Sequence, residues 1–396
     1  MTRNVNSPSK SAGSRPPLVT RPLLLRFVSI VGASTGFFLL LSVVPLYAEA
    51  SGGGGGSAAG LATGALMLAT VGGELATPWF VARFGYRLTL AAGLVLLGAP
   101  ALVLTVSGSA LWITAVCVVR GLGFACTVVA GGALTASLIP PERRGEGLAL
   151  VGIVSGVPSL VALPLGVWLV AHVGYGPVCV AGGMAALAAL VTVPGLPDRE
   201  PDSGPSIGVR AGLRTTALLR PAIVFAATAL AAGIIVTFLP LAVPSASTGL
   251  VAAALFVQSA ASTAARWGAG RRGDRHGPAS LVLPGLIVAA AGTLLIALTH
   301  SPVAVVVGVA VFGVGFGVTQ NATLTLMYAR VPASGYGTVS ALWNFAYDAG
   351  MGVGAVGFGV LAGWTGYPWA FAFTAALMLT ALAPAWHDRR ADGSLR

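Results

Sequence analysis

Two side chains each put a formal charge deep inside a stretch that is otherwise apolar. Arg120 lies in "VVRGLGFA" (118–125), within an apolar run from Leu111 to Ser137, and Asp348 lies in "SALWNFAYDAGMGVGAVG" (340–357). Arg120 is nine residues inside its run, a depth of about 14 Å at the helical rise of about 1.5 Å per residue. In a hydrocarbon core about 30 Å thick that is close to the middle, where an unpaired charge costs at least about 2.5–3.5 kcal/mol. A guanidinium so placed either bonds backbone carbonyls of its own bundle or faces a water-accessible cavity. The tendency of intramembrane ionisable groups to face a pathway favours the cavity. Asp348, at a comparable depth, is the counter-charge this reading expects. Burial and a nearby guanidinium act on such a carboxyl in opposite senses, which suits a proton-exchanging group. The alternative is a static Asp–Arg lock.

Other polar groups gather around these two. Asn344 is one helical turn before Asp348 on the same face. Trp343, Phe345 and Tyr347 form either an apolar wall for a substrate or plain packing. Gln320 and Asn321 offer uncharged hydrogen bonds, suited to orienting a substrate or to joining helices. Glu74, in "TVGGELATP" (70–78), is about one turn from the end of its run; it contacts a gate or snorkels to the interface. Glu49 closes the first run and reads as solvated.

The remaining candidates exclude more than they suggest. Cys117, Cys126 and Cys179 fall in apolar runs without metal-ligand spacing and read as packing residues. His172 and His300 stand at run ends with no metal-like company. "SGGGGGS" (51–57) lacks the Lys-Ser/Thr end of a phosphate loop and reads as a flexible connection. No nucleophile–base set appears, so no enzyme and no cofactor beyond a proton gradient are expected.

The elements that must hold these groups follow from composition. Of 396 residues, 56% are hydrophobic and 8% charged, against about 25% charged in a soluble domain. Twelve apolar runs recur, near 25–48, 58–80, 88–107, 111–137, 148–171, 177–196, 220–241, 248–267, 279–299, 302–327, 336–362 and 369–386. Each is long enough to cross a bilayer, and too long and too rich in Leu, Ala and Gly for a barrel strand. The fold class is therefore an all-α polytopic membrane protein with twelve transmembrane helices. A tail precedes the first run, with no small-residue cleavage site, so a removable signal peptide is not expected.

The net charge of +11 is a topology signal, and nucleic acid is not an expected partner. Alternation puts both termini and every even-numbered loop on one side, and all basic residues except Arg120 fall there. The positive-inside rule makes that side cytoplasmic. Arginine far outnumbers lysine alongside abundant Ala, Gly and Pro, as in GC-rich bacteria. The expected home is a bacterial cytoplasmic membrane, with lipid as the surrounding partner and a monomer as the expected state.

A shift of 192 aligns the two halves without gaps over most of their length. "TPWFVARFGYR" (77–87) falls on "AGRRGDRHGPA" (269–279), placing Arg83 on Arg275 and Gly85 on Gly277. "RGLGFACT" (120–127) falls on "FGVGFGVT" (312–319), Pro140 meets Pro332, and Glu74 meets Arg266. The chain reads as a six-helix bundle with a cytoplasmic tail (1–197), a polar cytoplasmic linker (198–219) and a second six-helix bundle (220–396). Secondary transporters are built from such paired repeats, with the site between them.

In these features the chain resembles the major facilitator superfamily, and within it the twelve-helix drug:proton antiporter branch. "GRRGDRHG" (270–277) matches the family's G-x-x-x-D-R-x-G loop, which marks Gly270, Asp274, Arg275 and Gly277 as gating residues. The first-half copy keeps Arg83, Gly85 and Arg87, but Pro78 replaces its Gly and Ala82 its Asp. "GIVSGVPSLVALPLG" (152–166) is a loose version of the antiporter signature G-x-x-x-G-P-x-x-G-G, resting on Gly152, Gly156, Pro158 and Gly166. Together with Gly350, Gly352, Gly354 and Gly357 these glycines remove bulk where helices approach and slide. The resemblance implies a fourth-helix arginine that lines the central cavity and is tied to proton exchange. It also implies a fifth-helix signature that seals against proton leak. The expected function is proton-coupled export of a small apolar or amphiphilic molecule by alternating access. The rivals are an importer or symporter of a small polar nutrient on the same fold, and a non-transporting membrane sensor or assembly partner.

Overall fold

Apolar runs in lipid must satisfy every backbone N–H and C=O internally, so each folds as a helix. The computed structural model describes residues 19–52, 56–140, 144–198, 215–243, 248–331 and 336–393. Most of the linker at 198–219, and part of the glycine run at 51–57, lie outside the described residues. The first half comprises α1 (Arg21–Leu41), α2 (Val43–Gly52), α3 (Ser57–Leu102), α4 (Ala110–Leu138), α5 (Arg144–Val173) and α6 (Tyr175–Ala188). The second comprises α7 (Thr216–Ala242), α8 (Thr248–His276), α9 (Ala279–Ile296), α10 (Pro302–Ala329), α11 (Tyr336–Thr365) and α12 (Tyr367–Thr380), with α13 (Leu382–Gly393) after it.

Two local breaks turn these helices into twelve crossings. Pro45 has no N–H to give Leu41, and the first crossing breaks at Ser42 into α1 and α2. Gly85, at φ 77° and ψ 174°, folds α3 into two arms, 57–84 and 86–102. Only glycine adopts that conformation without a Cβ clash. Ten helices among the described residues are long and apolar enough to cross a membrane. The folded α3 supplies two crossings, and the arginine-bearing α8 completes the twelve.

The repeat is visible in the backbone. Positive-φ glycines at Gly85 and Gly174 recur as Gly277 and Gly366, at the same offset of 192. A Cβ at Gly123 would lie 2.7 Å from Gly93 O, joining α4 to the second arm of α3, and one at Gly315 would lie 2.7 Å from Gly285 O, joining α10 to α9. These are the same contact displaced by one repeat. Small residues let helix backbones approach where lipid supplies no hydrophobic drive.

Contacts between the halves concentrate at the end remote from the termini. Ser42 Oγ donates to Val236 O at 2.7 Å, and the Thr63 and Thr237 hydroxyls are 2.9 Å apart. The first arm of α3 runs antiparallel to α11 in a tight seam. A Cβ at Gly359 would lie 2.8 Å from Gly56 O, and one at Gly352 would lie 3.0 Å from Met67 Cβ; Gly60 abuts the backbone of Ala355 between them. Toward the termini the halves part.

Candidate functional site

Where the halves part, they enclose a cavity of about 570 Å³ lined by α1, α3, α4, α5, α7, α8, α10 and α11. Its aromatic lining residues are Phe38 and Phe124 from the first half and Phe316, Trp343 and Tyr347 from the second. Its charged lining residues are Arg26, Glu74, Arg266 and Asp348.

Glu74 is the α3 residue that lines this cavity, and it stands where the α3–α11 seam ends. Its carboxyl lies within interaction range of that of Asp348 on α11. A carboxylate only accepts, so a hydrogen bond between the two would need a proton on one of them. Asp348 is 5% exposed, and Asn344 lines the cavity one turn away. Tyr347 lies within electrostatic reach of both Arg266 and Asp348. The site therefore brings one acid from each half together at the closed end of a shared chamber.

The structure does not bring Arg120 to Asp348. Arg120 is 1% exposed and donates through Nε to Leu97 O at 3.3 Å and through Nη2 to Gly36 O at 3.2 Å. Both acceptors belong to its own half, which is the structural alternative weighed above. The reason is register: on α4 the cavity is lined from Phe124 onward, one turn nearer the basic end. Arg120 sits one turn past the chamber's closed end. The acid within interaction range of Asp348 is instead Glu74.

Other expectations divide. Gln320 lines the cavity, whereas Asn321 points away, with its Nδ2 3.8 Å from where a Cβ on Gly270 would sit. Gly152 and Gly156 face open space and line the cavity, so they do not serve close helix approach. Pro158 is buried, and Gly166 abuts the Leu39 backbone. Gly350 and Gly354 do serve close approach: their Cβ positions lie 2.6 Å from Ala226 O and 2.6 Å from Leu230 O on α7. Glu49 is not solvated. It is 9% exposed and accepts from Gly56 N at 2.6 Å and from Ala59 N at 3.4 Å, capping α3.

The loop between the two arms of α3 keeps an acid despite Ala82. Asp198 Oδ1 accepts from Arg87 N at 3.2 Å, while Arg87 Nε donates to Leu196 O at 2.5 Å. A Cβ on Gly85 would lie 2.5 Å from Asp198 Oδ1, so the carboxylate occupies the space glycine leaves. Arg83 and Arg275 are exposed, Gly277 holds a φ of 81°, and the side chain of Asp274 lies outside the described residues.

Two cavity residues escaped the sequence reading. Gln258 is a lone amide in an apolar stretch of α8, the same signal that drew attention to Gln320. Arg26 stands near the start of the first run and so reads as a topology charge. It is instead 4% exposed, donating to Gly131 O and Thr135 Oγ1 at 3.1 Å, Ser29 Oγ at 3.0 Å and Thr127 O at 3.3 Å. Among the described residues no group of His, Cys, Asp or Glu is placed to hold a metal ion.

The family model of the Major Facilitator Superfamily matches residues 26–355 and 246–394. The chain belongs to the Major Facilitator Superfamily. It is a transporter, not an enzyme. Relatives within the superfamily include a chloramphenicol resistance protein of Streptomyces lividans, 28% identical over 382 residues, covering 92% of this chain and 95% of that protein. The multidrug resistance protein MdtH of Aeromonas hydrophila is 26% identical over 345 residues, covering 84% of this chain and 86% of that one. The same fold is seen in a bacterial homologue of the human lysosomal transporter Spinster, in an inward-facing and occupied conformation. It has a TM-score of 0.78 at 16% identity, covering 96% of this chain and 98% of that one. The nucleoside transporter NupG follows at a TM-score of 0.70 and 15% identity, covering 93% of this chain and 98% of that one.

Proposed function

We propose that this superfamily member is a proton-coupled exporter of small amphiphilic molecules, resident in a bacterial cytoplasmic membrane with both termini inside. The observation that carries this reading is that Glu74 and Asp348, one acid from each half, line the same cavity within interaction range of each other at the mouth of the seam. A shared proton holds the pair together. Losing it leaves two carboxylates in contact at low dielectric, and their repulsion drives the seam apart. The basic loops support a cytoplasmic opening for the cavity, and on that orientation the present state faces inward with its outer seam closed.

The cycle follows from these two contacts. Protonation from outside closes the α3–α11 seam and turns the cavity inward. Release of that proton into the cavity, favoured when substrate enters beside the pair, reopens the seam and turns the substrate outward. Proton and substrate thus select opposite orientations, and each weakens the other's hold on its own state. The aromatic walls suit a partly apolar cargo, and the drug-resistance names of two relatives support the export direction.

The test is reconstitution in proteoliposomes with a fluorescent amphiphile. An imposed pH gradient should drive uptake into vesicles holding the inverted protein, and dissipating the gradient should stop it. Flux that ignores the pH gradient in either direction refutes the coupling.

A further inference from the structure

Three buried polar atoms in the cavity wall have no hydrogen-bond partner: Gln258 Oε1, Gln320 Oε1 and Trp343 Nε1. All belong to the second half, on α8, α10 and α11. Leaving such groups unpaired is costly in a protein interior, so three at one wall call for an explanation. An amide end turns about its last torsion at little cost, which lets a ligand supply what the protein does not.

The charged groups of the same cavity have neighbours within the protein. Arg26 donates to three backbone or hydroxyl groups beyond its own turn, Arg266 donates to Thr263 Oγ1 on its own helix at 3.1 Å, and Glu74 and Asp348 face each other. The buried atoms of this wall that wait for a partner are uncharged. Beside it is a continuous aromatic surface: Phe225 stacks on Trp343 at 4.3 Å with 12° between planes, and lies 6.2 Å from Phe316 at 19°. Phe124 faces the chamber from the other half, itself stacked on Phe37 at 3.6 Å.

We propose that the cavity selects an uncharged, planar aromatic ligand bearing at least one hydrogen-bond donor and one acceptor. The donor meets the amide oxygens of Gln258 and Gln320, the acceptor meets Trp343 Nε1, and the ring lies between Phe316 and Phe124. Gln258, Gln320 and Trp343 are then the specificity-determining residues. The proposal rests on the transporter reading only for its physiological setting, because binding is measurable without flux.

The experiment is equilibrium binding to the purified full-length protein in lipid nanodiscs. The probe is radiolabelled 4-hydroxybenzanilide, a neutral diaryl amide with N–H, O–H and C=O groups. Tetraphenylphosphonium and benzoate serve as cationic and anionic aromatic competitors. The probe should bind saturably, and neither ion should displace it at equal concentration. Gln258→Leu and Gln320→Leu should each weaken binding about three- to tenfold, the effect of one neutral hydrogen bond. Trp343→Phe, which keeps an aromatic ring but loses the indole N–H and the pyrrole part of the stacking surface, should weaken binding at least as much, and covers the case in which a glutamine variant misfolds. Saturable binding of tetraphenylphosphonium with none of the neutral probe overturns the proposal. So does unchanged probe affinity in all three variants. Loss of pH-driven flux with binding intact counts against the coupling reading alone, whereas pH-driven flux without selective probe binding counts against this one alone.

Discussion

Replacing Asp348 with asparagine tests the physical core of the coupling scheme. Two carboxylates about 4 Å apart at an effective dielectric near 20 repel by about 4 kcal/mol. That is a shift of roughly a thousandfold in the population of the open seam. If water entering the cavity halves the repulsion, about 2 kcal/mol remains, still roughly a thirtyfold shift. The sign is set by which form repels. Raising the pH removes the shared proton, both groups become negative and the seam opens; lowering it restores the bond. Asp348→Asn cannot make the second charge and stays closed at every pH. The readout is a cysteine at Ala355, buried in the seam at 0% exposure, in a chain freed of Cys117, Cys126 and Cys179. The rate of labelling by an impermeant maleimide, taken relative to that of the denatured protein at the same pH to cancel thiolate formation, should be higher at alkaline than at acidic pH in the parent chain, and low at both in Asp348→Asn. Proton-driven efflux should be lost in Asp348→Asn while passive exchange of substrate persists. Labelling that still rises with pH in Asp348→Asn, to the same extent as in the parent, refutes the argument.

Further outcomes are expected elsewhere in the molecule. Arg120→Ala strips two helix carbonyls of their donor and should destabilise the protein by about 1–3 kcal/mol, read as a lower thermal midpoint and lower abundance; an unchanged midpoint with lost pH coupling would instead return Arg120 to the proton path. Gly152→Ala and Gly156→Ala, which face open space, should leave abundance unchanged, whereas Gly123→Ala must push apart α4 and the second arm of α3 and should fail in a membrane-yield assay. Asp198→Asn weakens the contact to Arg87 and Gly85 and should slow transport more than Ala82→Asp alters it, measured as initial flux rate. A cysteine at Ser203 should be shielded from impermeant reagent in intact cells and one at Gly54 should label, as the basic loops require; the reverse pattern inverts the orientation.

The twelve crossings were legible because bilayer thickness imposes a length that composition alone reveals. The repeat was legible because symmetric halves reuse the same glycine punctuation, and Gly85 and Gly277 kept their backbone role even where side chains between them diverged. Pairing the charges was not legible. Depth along a helix can be counted from sequence, but the facing of Arg120 and the level at which the halves separate depend on packing between helices. Arg120 and Asp348 are comparably deep, yet a single turn of α4 separates Arg120 from the chamber. Glu74 read either as a gate contact, from its repeat partner Arg266, or as a snorkelling charge near the end of its run, and only the antiparallel seam with α11 brings it near Asp348. Asp198 illustrates the same limit from another direction: an acid lost at Ala82 reappears from a segment distant in sequence and adjacent in space.

The position of the carboxyl pair at the junction of seam and chamber also has an electrical consequence. A proton that boards there from one face and leaves to the other crosses the whole membrane potential, worth about 2.3 kcal/mol per 100 mV for each charge moved. An uncharged cargo crosses the same field without doing work on it. The proposed exchange of the two is therefore electrogenic, and on that reading a cell at neutral external pH, with almost no proton concentration gradient, would still drive export through its voltage alone.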